Sequence, residues 1–256
     1  MNRAHAIALW TTLRREIVRI LRIWGQTLVP PAITMTLYFV IFGNLVGSRI
    51  GEMGGYRYID YIVPGLIMMS VIQNAYGNIV SSFFGAKFQR FVEEMLVAPM
   101  PPWVVLAGYV GGALARALMV GVIVLAIGMC FTTIQLHHPL VTLSTLFLTA
   151  IVFAFAGFIN AMYAKKFDDI AIVPTFILTP LTYLGGVFYS VDLLPPFWQA
   201  VSHANPILYM VNAFRYGLLG TSDVDLGVAY AVMVGFALVL GAYSMSLLRR
   251  GVGLRS

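Results

Sequence analysis

The sequence predicts an all-α membrane protein: six transmembrane helices, an amphipathic N-terminal helix in the interface, and short re-entrant helices between spans five and six. Three observations carry this. Hydrophobic residues make up 60% and charged residues 10% of the 256, where soluble chains run at roughly half and about a quarter. Sixteen basic and ten acidic side chains are too few to coat a soluble globule of this size. Charge-free runs of about 20 residues, enough to cross roughly 30 Å of hydrocarbon, recur along the chain. The basic residues between them collect on alternate connections.

Residues 1–24 form the interfacial helix. At the helical period, Trp10, Leu13, Ile17, Ile20, Leu21 and Trp24 fall in one sector, with Arg15, Glu16, Arg19 and Arg22 opposite. Aromatic and aliphatic residues facing arginines mark a helix lying in the interface with membrane lipids. It either anchors the topology or also clasps a cytoplasmic partner. Charges recur up to Arg22 with no apolar core before them, so no cleavable signal is expected and the first span serves as an uncleaved one.

Residues 25–256 form the six-span domain. The first span runs from Gly25 to Ser48, and the second lies between Asp60 and Lys87. His137, His138 and Pro139 divide the charge-free run Ala117–Ala164 into a third span near 105–132 and a fourth near 141–163. The fifth covers about Ile170 to Ser190, and the sixth about Leu226 to Leu248. An even number of spans puts both termini on one side. With that side cytoplasmic, twelve Lys and Arg lie inside, and only Arg49, Arg57 and Arg215 lie outside. The positive-inside rule then makes both termini cytoplasmic.

Two connections are not simple loops. Over about 86–98, Phe88, Phe91, Val92 and Met95 share one helical face and Lys87, Arg90, Glu93 and Glu94 the other, which predicts a short amphipathic helix ended by prolines. On the residues alone it either rests on the bilayer or docks into a protein. The stretch 191–220 is too apolar for a solvated loop and too often broken by Gly, Pro and Asn for a span. Broken backbone at membrane depth needs protein or a wet cavity beside it, which gives the re-entrant reading.

Several functions are excluded. A net charge of +6 is spread rather than gathered in one patch, so nucleic acid is not an expected partner. The single cysteine, Cys130, allows no intrachain disulfide. His5, His137, His138 and His203 lack H-E-x-x-H spacing, and there is no G-x-S-x-G elbow, so neither a catalytic set nor a metal site is expected. His137-His138 either binds a metal ion or is plain loop. No G-x-x-x-x-G-K-[ST] phosphate loop occurs, and the only lysines are Lys87, Lys165 and Lys166. This chain does not bind ATP for hydrolysis.

The N-terminal helix, the loop helix followed by Leu96-Val97-Ala98-Pro99, and the series Gly185-Gly186, Pro195-Pro196, Asn205-Pro206 and Arg215 resemble the ABC-2 type permease family, the membrane subunits of bacterial ABC exporters. The resemblance covers the whole chain and is especially close to a small inner-membrane permease of enterobacteria. It implies a homodimer in the inner membrane, with each copy driven by a separate cytoplasmic ATPase subunit that binds ATP and Mg. It further implies that Lys87, Phe88, Arg90, Phe91, Glu93, Glu94, Met95 and Leu96 form the ATPase-coupling contact. In polysaccharide-exporting members, outer aromatics guide sugar; Tyr183, Phe188 and Tyr189 are the matching candidates here, without establishing a glycan cargo.

Arg116 is the one charge well inside a span, where exposure to hydrocarbon costs at least ~2.5–3.5 kcal/mol, so it must face protein or water. It either meets an anionic cargo in the pathway or snorkels or pairs structurally. The turn Lys165-Lys166 to Asp168-Asp169 is either self-compensated or a second ATPase contact. Asn74 and Asn160 are expected as interhelical hydrogen-bond partners, and Gly108, Gly111 and Gly112 as sites of close helix packing. The rival class, an ion-coupled carrier or channel, would place acidic residues within spans. Here each Asp and Glu falls at a loop or boundary.

Overall fold

A long and comparatively polar helix occupies the centre of the bundle. The computed structural model of the chain describes residues 3–92, 95, 100–134 and 136–253. In chain order it holds α1 (Arg3–Arg22), α2 (Trp24–Ile50), an antiparallel hairpin of β1 (Glu52–Met53) and β2 (Tyr56–Arg57), then α3 (Tyr58–Phe88) and α4 (Pro102–Met129). There follow α5 (Pro139–Tyr163), α6 (Asp169–Leu184), α7 (Pro196–His203), α8 (Pro206–Leu219) and α9 (Leu226–Arg250).

Among the described residues four helices, α2, α4, α5 and α9, are long and apolar enough to cross a membrane. They correspond to the first, third, fourth and sixth runs of the sequence. The other two runs are helical but of different character. α6 is apolar, yet too short by itself to cover roughly 30 Å. α3 is long at 31 residues but carries Ser70, Gln73, Asn74, Asn78, Ser81 and Ser82.

Its position explains that composition. α3 packs against α4, α5 and α8, and from Tyr61 to Val80 only Gln73 and Gly77 are not buried. A helix wrapped by protein need not be as apolar as one wrapped by lipid, provided its polar groups find partners. Ser70 Oγ donates to Ile67 O, and Asn74 Nδ2 donates to Ser70 O at 2.9 Å. Asn74 therefore bonds within its own helix rather than across to another. Asn160 Nδ2 does reach across, to Ile170 O at 3.3 Å.

The periphery is looser. Of its most apolar window, α2 buries 12% and α9 11%, against 44% for α5. α2 has a π-helical stretch over Phe39–Val46, and α6 another over Pro174–Leu178. Pro174 has no N–H to give, so the ladder widens where it enters. Proline stands in the first turn of α4, α5, α7 and α8, where its missing N–H would have gone unused.

Candidate functional site

The site begins at α1. Thr12, Glu16 and Ile20, one turn apart, are the buried residues of this helix, and the first two lie on α4. A Cβ on Gly108 would come within 2.5 Å of Thr12 Cγ2, and one on Gly112 within 2.5 Å of Glu16 Cβ. The glycines of α4 thus form the packing seam that the sequence suggests.

The helical wheel places Glu16 with Arg15, Arg19 and Arg22 opposite the apolar sector; the structure separates it from them by burying it. Glu16 is 2% exposed. Its carboxylate accepts from Ser82 Oγ at 2.6 Å, from Arg19 Nη2 at 3.1 Å and from Arg15 Nη2 at 3.4 Å. Arg15 also donates to Tyr109 OH at 2.9 Å, and Arg19 to Asn78 Oδ1 at 2.9 Å. The helix docks along the edge between its two faces: Glu16 from the polar face and Ile20 from the apolar one are buried, while Arg15, Arg22, Trp10, Val18, Leu21 and Trp24 stay exposed. The wheel separates polar from apolar residues but does not say which edge between them meets the protein.

Between α1 and the end of α3 lies a cleft of about 560 Å³, lined by Arg15, Glu16, Arg19, Arg22, Ser81, Ser82, Gln89 and Tyr109 among others. Three guanidinium groups against one carboxylate leave it with a formal charge of +2. A second cleft of about 430 Å³ runs between α3 and α6, lined on one side by Gln73, Gly77 and Ser81 and on the other by Thr175 and Thr179. Ser81 belongs to both clefts. The three α3 positions are spaced by one helical turn, as are Thr175, Thr179 and Tyr183 on α6, so each set forms a stripe along its helix.

Beyond Thr179 the stripe meets aromatic rings. Phe188 stands 5.8 Å from Tyr183, 5.9 Å from Tyr38 and 4.9 Å from Phe42, centroid to centroid. Tyr189 OH donates to Tyr183 O at 3.0 Å, and Tyr58 OH to Phe188 O at 3.1 Å. The three aromatics named from the sequence are therefore neighbours. Tyr38 and Phe42 of α2 were missed, although their four-residue spacing on the first span was a usable signal.

The Gly-Gly to Arg series is a single interlocked unit. Gly186 has φ +69°, a backbone conformation that favours glycine. The turn it makes presents Gly186 O to Arg215 Nη2 at 2.6 Å. Asn205 caps α8 by accepting from Ile207 N at 3.0 Å, and its Nδ2 donates to Leu181 O at 2.6 Å. Pro195 and Pro196 start α7, Pro206 starts α8, and a Cβ on Gly185 would lie 2.6 Å from Ile207 Cγ2. Arg215 is fully buried, 4.0 Å above the Tyr61 ring, 3.1 Å from Asn212 Oδ1 and 3.8 Å from Asp223 Oδ2. The sequence counts it among the charges of the outer side, within the re-entrant stretch; the structure makes it the core of this unit.

The predicted helix over about 86–98 takes another form at its start. Lys87 and Phe88 belong to the last turn of α3, and the chain turns at Gln89 and Arg90, the latter with φ +63°. Glu93, Glu94 and Leu96 lie outside the described residues. Lys87 Nζ donates to Met162 O at 2.6 Å and Ala164 O at 2.7 Å, capping the end of α5. Phe88, 61% exposed, packs 4.9 Å from Phe167 of the α5–α6 turn, and Phe91 is also exposed. In that turn Asp169 accepts from Lys165 N and Lys166 N.

Arg116 lines neither cleft; its Nη2 donates to Thr27 O at 3.3 Å at the start of α2. His138 stacks on Tyr216 at 4.7 Å, and its backbone N–H donates to Gly217 O, so this pair docks the α4–α5 loop on α8.

Apolar helices around a more polar central one, with a groove along it, define a multi-helix membrane protein. Residues 7–219 match the ABC-2 type transporter family, and the chain belongs to that family. It is 59% identical, over 256 residues and the whole of both chains, to inner membrane transport permease YadH of Escherichia coli (strain K12). It is 24% identical over 215 residues to nodulation protein J of Rhizobium leguminosarum bv. trifolii, covering 84% of this chain and 82% of that one. Nodulation protein J of Rhizobium meliloti (strain 1021) is 23% identical over 215 residues, with the same coverage. The chain is thus the membrane component of an ABC transporter.

Proposed function

We propose that this chain is the permease subunit of an ABC exporter of the bacterial inner membrane, with six spans and both termini cytoplasmic. It works as a homodimer driven by a separate ATPase subunit and moves an amphiphile outward. The carrying observation is the groove: Gln73, Gly77 and Ser81 face Thr175 and Thr179, joining a basic cleft at one end to four aromatic rings at the other. In an apolar bundle such a stripe serves a cargo with a polar part, and the aromatic end offers faces to sugars or apolar groups. α3 completes the span count as an enclosed helix, and α6 does so with the turn that follows it.

The ATPase would seat against the segment from Phe88 onward. Phe88, Arg90, Phe91 and Met95, with Glu93, Glu94 and Leu96, form the contact, and Lys87 ties it to α5. A push on that segment then moves α3 and α5 as rigid bodies, the form in which ATP energy can enter a packed bundle. ATP and Mg stay on the partner.

Native mass spectrometry of the tagged protein from its own host tests the assembly. Two copies of this chain with two nucleotide-binding subunits is the expected result; a stable complex lacking any ATPase in several mild detergents would favour an ATP-independent carrier. The groove has its own test. A Cβ at Gly77 meets nothing within 4 Å, so Gly77→Trp should leave assembly intact and abolish ATP-dependent export. Undiminished export would remove the groove from the pathway.

A further inference from the structure

We propose that the basic cleft between α1 and α3 binds the phosphate group of a membrane amphiphile, and that the exported cargo enters the groove by that group. The inference rests on reading the groove as the cargo path and adds the class of cargo.

Four observations lead there. Arg15, Arg19 and Arg22 project from one face of α1 into a cleft of about 560 Å³ whose lining includes a single carboxylate. That carboxylate, Glu16, is already held by Ser82, Arg15 and Arg19, while Arg22 makes no side-chain hydrogen bond or ion pair among the described residues. Guanidinium forks match phosphate oxygens in pairs, and several around one concavity are the usual way to hold a phosphate.

Hydroxyl and amide donors stand beside them: Ser81, Gln89 and Tyr109 line the same cleft. Asn78, whose Oδ1 is taken by Arg19, has a buried Nδ2 with no partner among the described residues. The depth is also right. Trp10, Leu21 and Trp24 are exposed on the other side of α1, so the helix sits at headgroup level and its arginines lie where lipid phosphates lie.

The last observation is continuity. The cleft and the groove meet at Ser81, which lines both, and the groove's wall includes Val80, Ile170 and Leu178 beside its polar stripe. A phosphate held by Arg15 and Arg22 leaves the apolar part of the same molecule beside that wall. A free phosphate ion would satisfy the arginines but make no use of the groove.

The test titrates the full-length chain in neutral detergent with dioleoyl phosphatidic acid, dioleoyl phosphatidylcholine or inorganic phosphate, following bound species by native mass spectrometry and thermal shift. Phosphatidic acid should bind at least tenfold more tightly than phosphatidylcholine, and Arg22→Gln should weaken it by roughly tenfold, the worth of one charge-assisted pair. Arg22 supports no internal contact, so that variant should fold normally; Arg15→Gln with Arg22→Gln should abolish the preference. Arg14→Gln, on α1 but outside the cleft, should change nothing.

Equal binding of the two lipids, or no effect of Arg22→Gln, overturns the proposal. Binding of inorganic phosphate with no preference between the lipids overturns it in favour of a free-anion site. Because the readout is binding, it is independent of the exporter reading: the lipid preference can hold where no ATPase co-purifies, and can fail where one does.

Discussion

Arg215 is the residue whose role was least legible in the sequence. Its neighbours Phe214 and Tyr216 and the prolines upstream mark an outer loop, yet it is wholly buried. Beside Asn212, one turn earlier on its own helix, its partners are Gly186, Tyr61 and Asp223, from three other stretches that no local pattern links. Glu16 was misplaced for the same reason, because Ser82 lies 66 positions away. Arg215→Met keeps the volume but leaves Gly186 O without its donor and Asp223 without its cation. A loss of ~2–3 kcal/mol is expected from buried groups left unsatisfied. Thermal unfolding of the purified chain should show a midpoint several degrees lower, while Arg57→Met, at the exposed Arg57–Asp60 pair, should barely move it. An unchanged midpoint for Arg215→Met would mean the buried cluster does not hold α8 to α3.

Among the elements, those facing lipid were easy to read and those facing protein were not. α2, α4, α5 and α9 stand out because hydrocarbon demands continuous apolarity. The run that became α3 was found only by its lack of charge, and its position at the centre emerges from packing. The seam of α1 on α4 lies between these cases. Gly108, Gly111 and Gly112 announced a close approach, but nothing local named α1 as the helix that approaches. Gly112→Ala should cost ~1–3 kcal/mol by overpacking, because its Cβ would fall 2.5 Å from Glu16 Cβ and 2.9 Å from Cγ. Limited trypsin digestion should then cleave at Arg15 and Arg19 faster than in the unaltered chain. Gly235→Ala on α9, where a Cβ meets nothing within 4 Å, is the matched control. Equal digestion of the two variants would show that α1 adapts to the added methyl group.

At the scale of the whole molecule, two sides of the bundle are thinly covered: α9, and the side formed by α2 and α6. Lipid tolerates the first. Val234, Leu238 and Val239 of α9 point outward and leave no polar group unsatisfied in hydrocarbon. The second side opens on Gln73, Thr175 and Thr179, and such groups against lipid need partners from protein or a wet cavity. In the proposed homodimer the second copy should therefore cover α2 and α6, so that two grooves face one another and α9 remains at the lipid boundary. The single cysteine makes this testable, since Cys130→Ala removes the only native thiol. In that background, Thr175→Cys on the exposed face of α6 should form a disulfide-linked dimer in native membranes under mild oxidation, and Leu238→Cys on α9 should not. Cross-linking at 238 with none at 175 would reverse the arrangement: α9 would become the seam, each copy would carry its own groove, and the polar stripe would need cover from another protein.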